Sequence, residues 1–236
     1  MTRISTALVT GATRGIGLEV ARVLIGDGVR VVMLARSEAD LHARARELGE
    51  LAVPIVCDVS NADAVARAAE RASADLGGAP QAIVNNAGLF KLAPIDQMSP
   101  DDFRTLIDVN LIGSFYVIRA FLPELRRRGS GHVVTIGSVA DRAIFPENGA
   151  YSASKFGERA LHEVLRAELR GTGVRATLVS PGPTDTSLWD ETDPDTRPGF
   201  TPRSEMLRMA AVADAVRFAL TRPPEVNIDE LRLSRA

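Results

Sequence analysis

Thr10-Gly11-Ala12-Thr13-Arg14-Gly15-Ile16-Gly17 follows the apolar run Thr6–Thr10 and opens the helical pattern Leu18-Glu-Val-Ala-Arg-Val-Leu24. Strand, glycine-rich turn and helix in that order make a cradle for phosphate. Gly11, Gly15 and Gly17 permit a tight turn, close approach of backbone to a pyrophosphate, and close packing of helix on strand. The start of the helix then offers free N–H groups and the positive end of a dipole to the anion. The turn predicts a dinucleotide site at the head of an α/β fold.

The rest of the chain repeats the alternation. Candidate strands are Thr6–Thr10, Arg30–Leu34, Val53–Cys57, Ala82–Asn85, His132–Ile136, Val174–Ser180 and Asn227–Leu233. Most are continuous apolar runs, the pattern of strands covered on both faces. Helical stretches between them predict right-handed βαβ units and one parallel, doubly wound sheet with helices on both faces. With 236 residues, 45% of them apolar, no repeat and no low-complexity linker, residues 1–236 read as one domain. The best-marked helix begins at Ser99-Pro100-Asp101-Asp102, with a capping serine, proline at the first position and two acids at the positive dipole end. Its apolar stripe holds Phe103, Leu106, Ile107, Leu111 and Ser114, and carries Asn110 on the same side. It is expected to end near Pro123, with Arg126-Arg127-Arg128-Gly129 as a basic exit. The polar segment 184–206 contains the only tryptophan, Trp189, and is expected to be a substrate lid.

Composition excludes several classes. A formal net charge of -2 leaves no basic face for nucleic acid. No apolar stretch approaches the roughly 20 residues of a membrane span. The N-terminus, MTRISTALVTGATRG, lacks the basic, apolar and small-residue series of a secretory leader. The single cysteine, Cys57, lies in the run Leu51–Cys57 and reads as a buried small hydrophobe, in keeping with a cytoplasmic, reducing setting. His42, His132 and His162 match no metal-ligand spacing, so no metal is expected. His132 opens a strand, and His162 reads as a solvated or interface residue on the helix face of Tyr151 and Lys155.

The spacing Gly-x-x-x-Gly-x-Gly differs from the Gly-x-Gly-x-x-Gly of two-domain dehydrogenases, and Thr10 to Gly17 resembles the short-chain dehydrogenase/reductase family in its single-domain branch. Further motifs fit. Asp58-Val59 resembles the family's adenine-contacting pair, and Asn85-Asn86-Ala87-Gly88 the segment that lines the adenosine. Ser138 precedes Tyr151-Ser-Ala-Ser-Lys155 by thirteen residues, and Pro181-Gly182 with Thr184 and Thr186 resembles the nicotinamide end. The resemblance, closest to 3-oxoacyl-carrier-protein reductase-like members, implies a Rossmann-like, seven-stranded parallel sheet. It also implies that Lys155 bonds the nicotinamide ribose, that Asn110 anchors a water linking Lys155 to solvent, and that Gly11, Thr13, Arg14, Gly15, Ile16, Gly17, Asn86, Ala87 and Gly88 face the cofactor. A homodimer or homotetramer is implied too, with helices around 103–122 and 152–169 paired across a two-fold axis.

The chemistry follows from residue types as well. Of 28 basic residues only Lys91 and Lys155 are lysines, and the only tyrosines are Tyr116 and Tyr151. A lysine in so arginine-rich a chain marks a place that wants a compact ammonium. Tyr151 and Lys155, four apart, share one helix face. A nearby ammonium favours a phenolate, which brings a group of ordinary pKa about 10 towards useful acid–base catalysis. Ser138, at the carboxyl end of a strand, is placed to hold a substrate oxygen. The second strand ends Leu34-Ala35-Arg36-Ser37, without the acid that binds a ribose 2′-hydroxyl; Arg36 and Arg14 suit a 2′-phosphate instead. The expected cofactor is therefore NADP(H) rather than NAD(H), and the expected substrate a small carbonyl or alcohol compound beside Phe90, Phe145 and Trp189. The rival readings are an NAD-dependent alcohol dehydrogenase and a catalytically silent nucleotide sensor on the same fold.

Overall fold

In the computed structural model, which describes residues 4–236, short Val-, Ile- and Leu-rich runs pair into one parallel sheet. The strands are β1 (Thr6–Thr10), β2 (Arg30–Ala35), β3 (Ala52–Val56), β4 (Ala82–Asn85), β5 (Gly131–Ile136), β6 (Val174–Pro181) and β7 (Glu230–Leu233). Their order across the sheet is β3-β2-β1-β4-β5-β6-β7. Chain direction across the sheet reverses between β1 and β4, which opens a crevice at the carboxyl ends of those two strands. Residues 1–3, the head of the stretch weighed as a leader, lie outside the described residues.

Alternate residues of each strand point to opposite layers. Val9, Met33, Val84 and Val134 meet α1 (Gly15–Gly26), α2 (Glu38–Leu48) and α7 (Met209–Leu220). Leu8, Val32, Ile83 and Val133 meet α3 (Ala62–Leu76), α5 (Gly113–Arg128) and α6 (Gly149–Glu168). The central strands are buried on both faces, whereas β3 and β7 at the two edges are only half-buried. Pro54 is tolerated in β3 because that strand pairs with β2 alone. Cys57 falls just past β3, and burial pushes its thiol up to about 11, an inert value.

The marked helix starts as its sequence dictates. Ser99 Oγ accepts from the Asp102 N–H at 3.0 Å and caps α4 (Pro100–Ile107). A π-helical turn, Asp108–Ile112, joins α4 to α5. Contrary to expectation the helix does not break near Pro123, and α5 passes through it; the basic, glycine-stopped exit is as expected, with Arg126, Arg127 and Arg128 in the last turn and Gly129 at a left-handed φ of 67°. Pro123 sits on the exposed side, where water can serve the carbonyl its ring leaves unpaired. Phe103 is likewise exposed rather than part of the buried stripe. The unbroken run Pro100–Arg128 is, by length and composition, apolar enough to cross a membrane, against the expectation from sequence. It packs on α3, α6 and β5, which makes it a core helix of the fold.

Candidate active site

The crevice holds the glycine turn. Gly11 and Gly15 have φ of 66° and 60°, a region costly to residues with a Cβ. A Cβ on Gly11 would come within 2.9 Å of the Ala87 Cα, and one on Gly17 would strike the Gly11 carbonyl. Arg14 is the N-cap of α1 yet makes no side-chain cap, so the first N–H groups of that helix face the groove. Thr10 ties the turn to the next strand: its Oγ1 accepts from the Asn86 and Ala87 N–H groups, both at 2.9 Å. Asn86 Nδ2 donates to the Thr10 carbonyl at 2.9 Å. The resulting cavity, about 570 Å³, is lined by Gly11, Thr13, Arg14, Gly15, Ile16, Arg36, Asp58, Val59, Asn86, Ala87, Gly88 and Thr186. This glycine-lined cradle at the uncapped start of α1 fits a dinucleotide.

Arg14 and Arg36 are exposed at the rim of this cavity. Asp40 borders it too, an acid that the motif reading passed over because it lies beyond the strand end, in the first turn of α2. Its carboxylate accepts from Ser37 Oγ at 2.7 Å. Asp58 is engaged in a local turn, accepting from the Ser60 N–H and hydroxyl at 3.0 and 2.7 Å.

A second cavity of about 490 Å³ shares Ile16, Asn86, Gly88, Leu89, Thr186 and Leu188 with the first. Ser138, Tyr151 and Lys155 line it together, with Pro181, Gly182 and Thr184. Ser138 follows β5 and also caps a short 3-10 turn, accepting from the Ala140 N–H at 3.1 Å. Lys155 Nζ lies 5.9 Å from the centre of the Tyr151 ring and donates to the Ile136 carbonyl at 2.9 Å. It also donates to Glu158 Oε2 at 2.6 Å. Burial works against the Lys155 charge, but Glu158 and then Tyr151 outweigh it and hold the ammonium above its ordinary pKa.

Asn110, fully buried in the π-helical turn, spends its amide on scaffolding. Nδ2 donates to the Leu89 carbonyl and to Ser154 Oγ, both at 2.9 Å, and Oδ1 accepts from the Leu89 N–H at 2.7 Å. The side chain thus joins the loop after β4 to α6, and its backbone carbonyl accepts from Ser114 Oγ at 3.2 Å. His162 is 1% exposed, not solvated, with Nδ1 at 2.9 Å from Thr135 Oγ1. His132 is equally buried, 2.7 Å from Thr177 Oγ1. Among the described residues no group of His, Cys, Asp or Glu is arranged to hold a metal ion.

The walls of the second cavity are aromatic. Phe90 meets Tyr151 and Trp189 edge-on, each at 4.9 Å between ring centres, and Phe200 follows Trp189 at 6.3 Å. Segment 184–206 supplies Trp189, Pro198, Gly199, Phe200 and Thr201 to that wall. Trp189 Nε1 donates to the Thr184 carbonyl at 3.1 Å, and Arg197 pairs with Glu147 across the mouth. Glu147 has a left-handed φ of 64°. Sequence reading missed Glu147, Phe200, Ser154 and Glu158, because each acts on a partner remote in the chain or on the inner side of a helix whose motif ends at Lys155.

The groove for a diphosphate, the Ser138, Tyr151 and Lys155 cavity beside it, and the strand order belong together. Residues 5–197 match the family model for short chain dehydrogenase. The chain belongs to the short-chain dehydrogenase family. It is an oxidoreductase acting on CH–OH or C=O groups with NAD(P). An uncharacterised oxidoreductase of Staphylococcus epidermidis is 35% identical over 230 residues, covering 96% of this dehydrogenase and 95% of that protein. An alcohol dehydrogenase from the archaeon Thermococcus sibiricus, solved with 5-hydroxy-NADP, superposes with a TM-score of 0.86 at 32% identity, covering 97% of this chain and 95% of its own. Serine dehydrogenase from Escherichia coli superposes with a TM-score of 0.85 at 31% identity, covering 97% and 96%.

Proposed function

We propose that this dehydrogenase is an NADP(H)-dependent oxidoreductase of bulky, apolar ketones, aldehydes or the matching alcohols, with Tyr151 as general acid and base. The observation that carries the reading is that Ser138, Tyr151 and Lys155 line one cavity continuous with the dinucleotide groove. When bound, the nicotinamide supplies or accepts the hydride. Ser138 then holds the substrate oxygen, Tyr151 gives or takes its proton, and the Lys155 ammonium favours the phenolate while bonding the ribose. Asn110 serves this group by fixing α6 against the loop after β4.

Arg36 and Arg14 at the rim support a 2′-phosphate, as does the alcohol dehydrogenase relative solved with an NADP analogue. Asp40 in the same cavity gives the NAD(H) alternative its one support. A catalytically silent sensor is disfavoured because both Tyr151 and Lys155 are present and meet in one cavity. An apolar substrate is supported by Phe90, Trp189 and Phe200, while Glu147, the one acid among the described residues that line the cavity, is paired with Arg197. That leaves no free charge pair of the kind an amino acid substrate needs. We read segment 184–206 as a lid within a single domain. The exposed Phe103, Phe115, Phe156 and Val164 on α4, α5 and α6 support a homodimer or homotetramer, and the single buried Cys57 a cytoplasmic setting.

Consumption of NADPH and NADH, followed by absorbance over a panel of aromatic, aliphatic and amino-bearing carbonyl compounds, tests the reading. Turnover of aryl or long-chain ketones with NADPH preferred is expected. Preference for NADH, or for amino acid substrates, refutes the cofactor or the substrate half respectively.

A further inference from the structure

Lys155 does not stand in the interior alone. Glu158, one turn along α6, is 2% exposed and places Oε2 2.6 Å from the Lys155 Nζ. Its other oxygen accepts from Ser114 Oγ of α5 at 2.6 Å. An acid in the core next to the cation that is meant to activate a phenol opposes that cation, since a paired ammonium exerts less pull on a neighbouring phenolate than a lone one. We infer that Glu158 is a positioning residue that sets the acidity of Tyr151 through Lys155: it fixes the ammonium in place and offsets part of its charge. The inference rests on the reading of Tyr151 and Lys155 as the acid–base pair.

The surroundings leave Glu158 as the group that does this. The other acid facing the pair, Asp141, is fully buried in the 3-10 turn after Ser138, and its carboxylate is occupied by Ser180 Oγ at 2.7 Å and Arg142 Nε at 2.6 Å. From β5 the pair meets the Ile136 carbonyl, and from α5 the Ser114 hydroxyl. His162, next along α6, turns its Nδ1 to Thr135. Burial is the largest influence on Glu158 and outweighs the pull of Lys155, so its carboxyl titrates above the ordinary carboxylate range. Lys155 keeps a third N–H beyond its bonds to Ile136 and Glu158, enough to face a ribose or the phenol.

Glu158→Gln isolates the charge. The amide oxygen can still accept from Lys155. Its NH2 can donate to Ser114 Oγ, whose own proton turns to the Asn110 carbonyl already 3.2 Å away. Because Tyr116 and Tyr151 are the only tyrosines, phenolate absorbance of the cofactor-free protein reports these two groups alone, and the difference from Tyr151→Phe isolates the step of Tyr151. In Glu158→Gln that step is expected to move down by about one pH unit, a tenfold rise in acidity, as is the alkaline rise of alcohol oxidation. Glu158→Asp, which keeps the charge, is expected to return the step most of the way. An unmoved step, or one moved upward, overturns the inference even where Tyr151→Phe is inactive. An active Tyr151→Phe refutes the catalytic reading instead. If Glu158→Gln does not fold, Glu158→Leu carries the same expectation, and failure of both to fold assigns the carboxylate to stability alone and overturns the inference.

Discussion

The Lys155 ammonium stands 5.9 Å from the centre of the Tyr151 ring, with both groups lining one cavity beside the dinucleotide groove. One helical turn produces this: residues four apart on α6 share a face, and that face is turned towards the end of β5. Loss of the phenol hydroxyl removes the proposed proton donor without disturbing the turn. Tyr151→Phe is expected to lower kcat by a factor of about 10² to 10⁴ and to leave the melting temperature and NADPH affinity near wild type. Steady-state kinetics with fluorescence titration of NADPH reads both, and near-normal kcat removes Tyr151 from the mechanism.

Lys155→Ala carries a structural cost as well as a catalytic one. It leaves Glu158 buried without its cation, and breaking a buried pair in this way costs roughly 3–5 kcal/mol. Denaturant melts are expected to show that loss, while kinetics show lower kcat together with weaker cofactor binding. The double variant Lys155→Met with Glu158→Leu is expected to regain stability but not turnover. If it regains turnover, the ammonium is structural only.

The proposed cofactor preference turns on exposed charge. Arg36 and Arg14 border the groove beside Asp40. Arg36→Asp removes one guanidinium and sets a second acid where a 2′-phosphate is expected, so the NADP-over-NAD ratio in kcat/KM is expected to fall at least tenfold, and to fall less at high salt. An unchanged ratio places the determinant elsewhere.

Two buried histidines give stability a pH dependence. Burial pushes His132 down to about 3 and His162 down to about 4, so both stay neutral when folded while the unfolded chain titrates near 6.5. Below that pH the unfolded state binds protons that the folded state refuses, and stability falls with pH until the folded values are reached. The loss is about 2 kcal/mol per histidine at pH 5, taking 1.36 kcal/mol per pH unit. The melting temperature is therefore expected to drop between pH 6.5 and 5. His162→Gln, which can still bond Thr135 but cannot titrate, is expected to flatten about half of that drop. An unaltered slope means that other groups set it.

Much of this was legible without coordinates. The glycine turn, the seven apolar runs and the Tyr151, Lys155 and Ser138 spacing are local patterns, and strand, turn and helix form from local backbone preference and side-chain period. Where reading failed, the cause lay across the fold. Pro123 looked like a stop, yet on the wet side of a helix anchored by α3 and α6 it is tolerated. His162 looked wet because its polarity was judged without Thr135, which arrives from β5 to bond its Nδ1.

Chain order by itself determined the strand–turn–helix head, the parallel alternation and the placing of Tyr151 and Lys155 on one helix face, because these depend on residues within a few positions of one another. Only the tertiary structure decided that Asn110 clasps Ser154 and Leu89, that Arg197 meets Glu147 at the cavity mouth, and that Glu158 and Ser114 close around Lys155. Apart from the Glu158–Lys155 pair, which is three residues apart on α6, each of these joins groups from different elements, and a buried polar group's partner is set by which helix packs against which strand, a choice no local pattern contains.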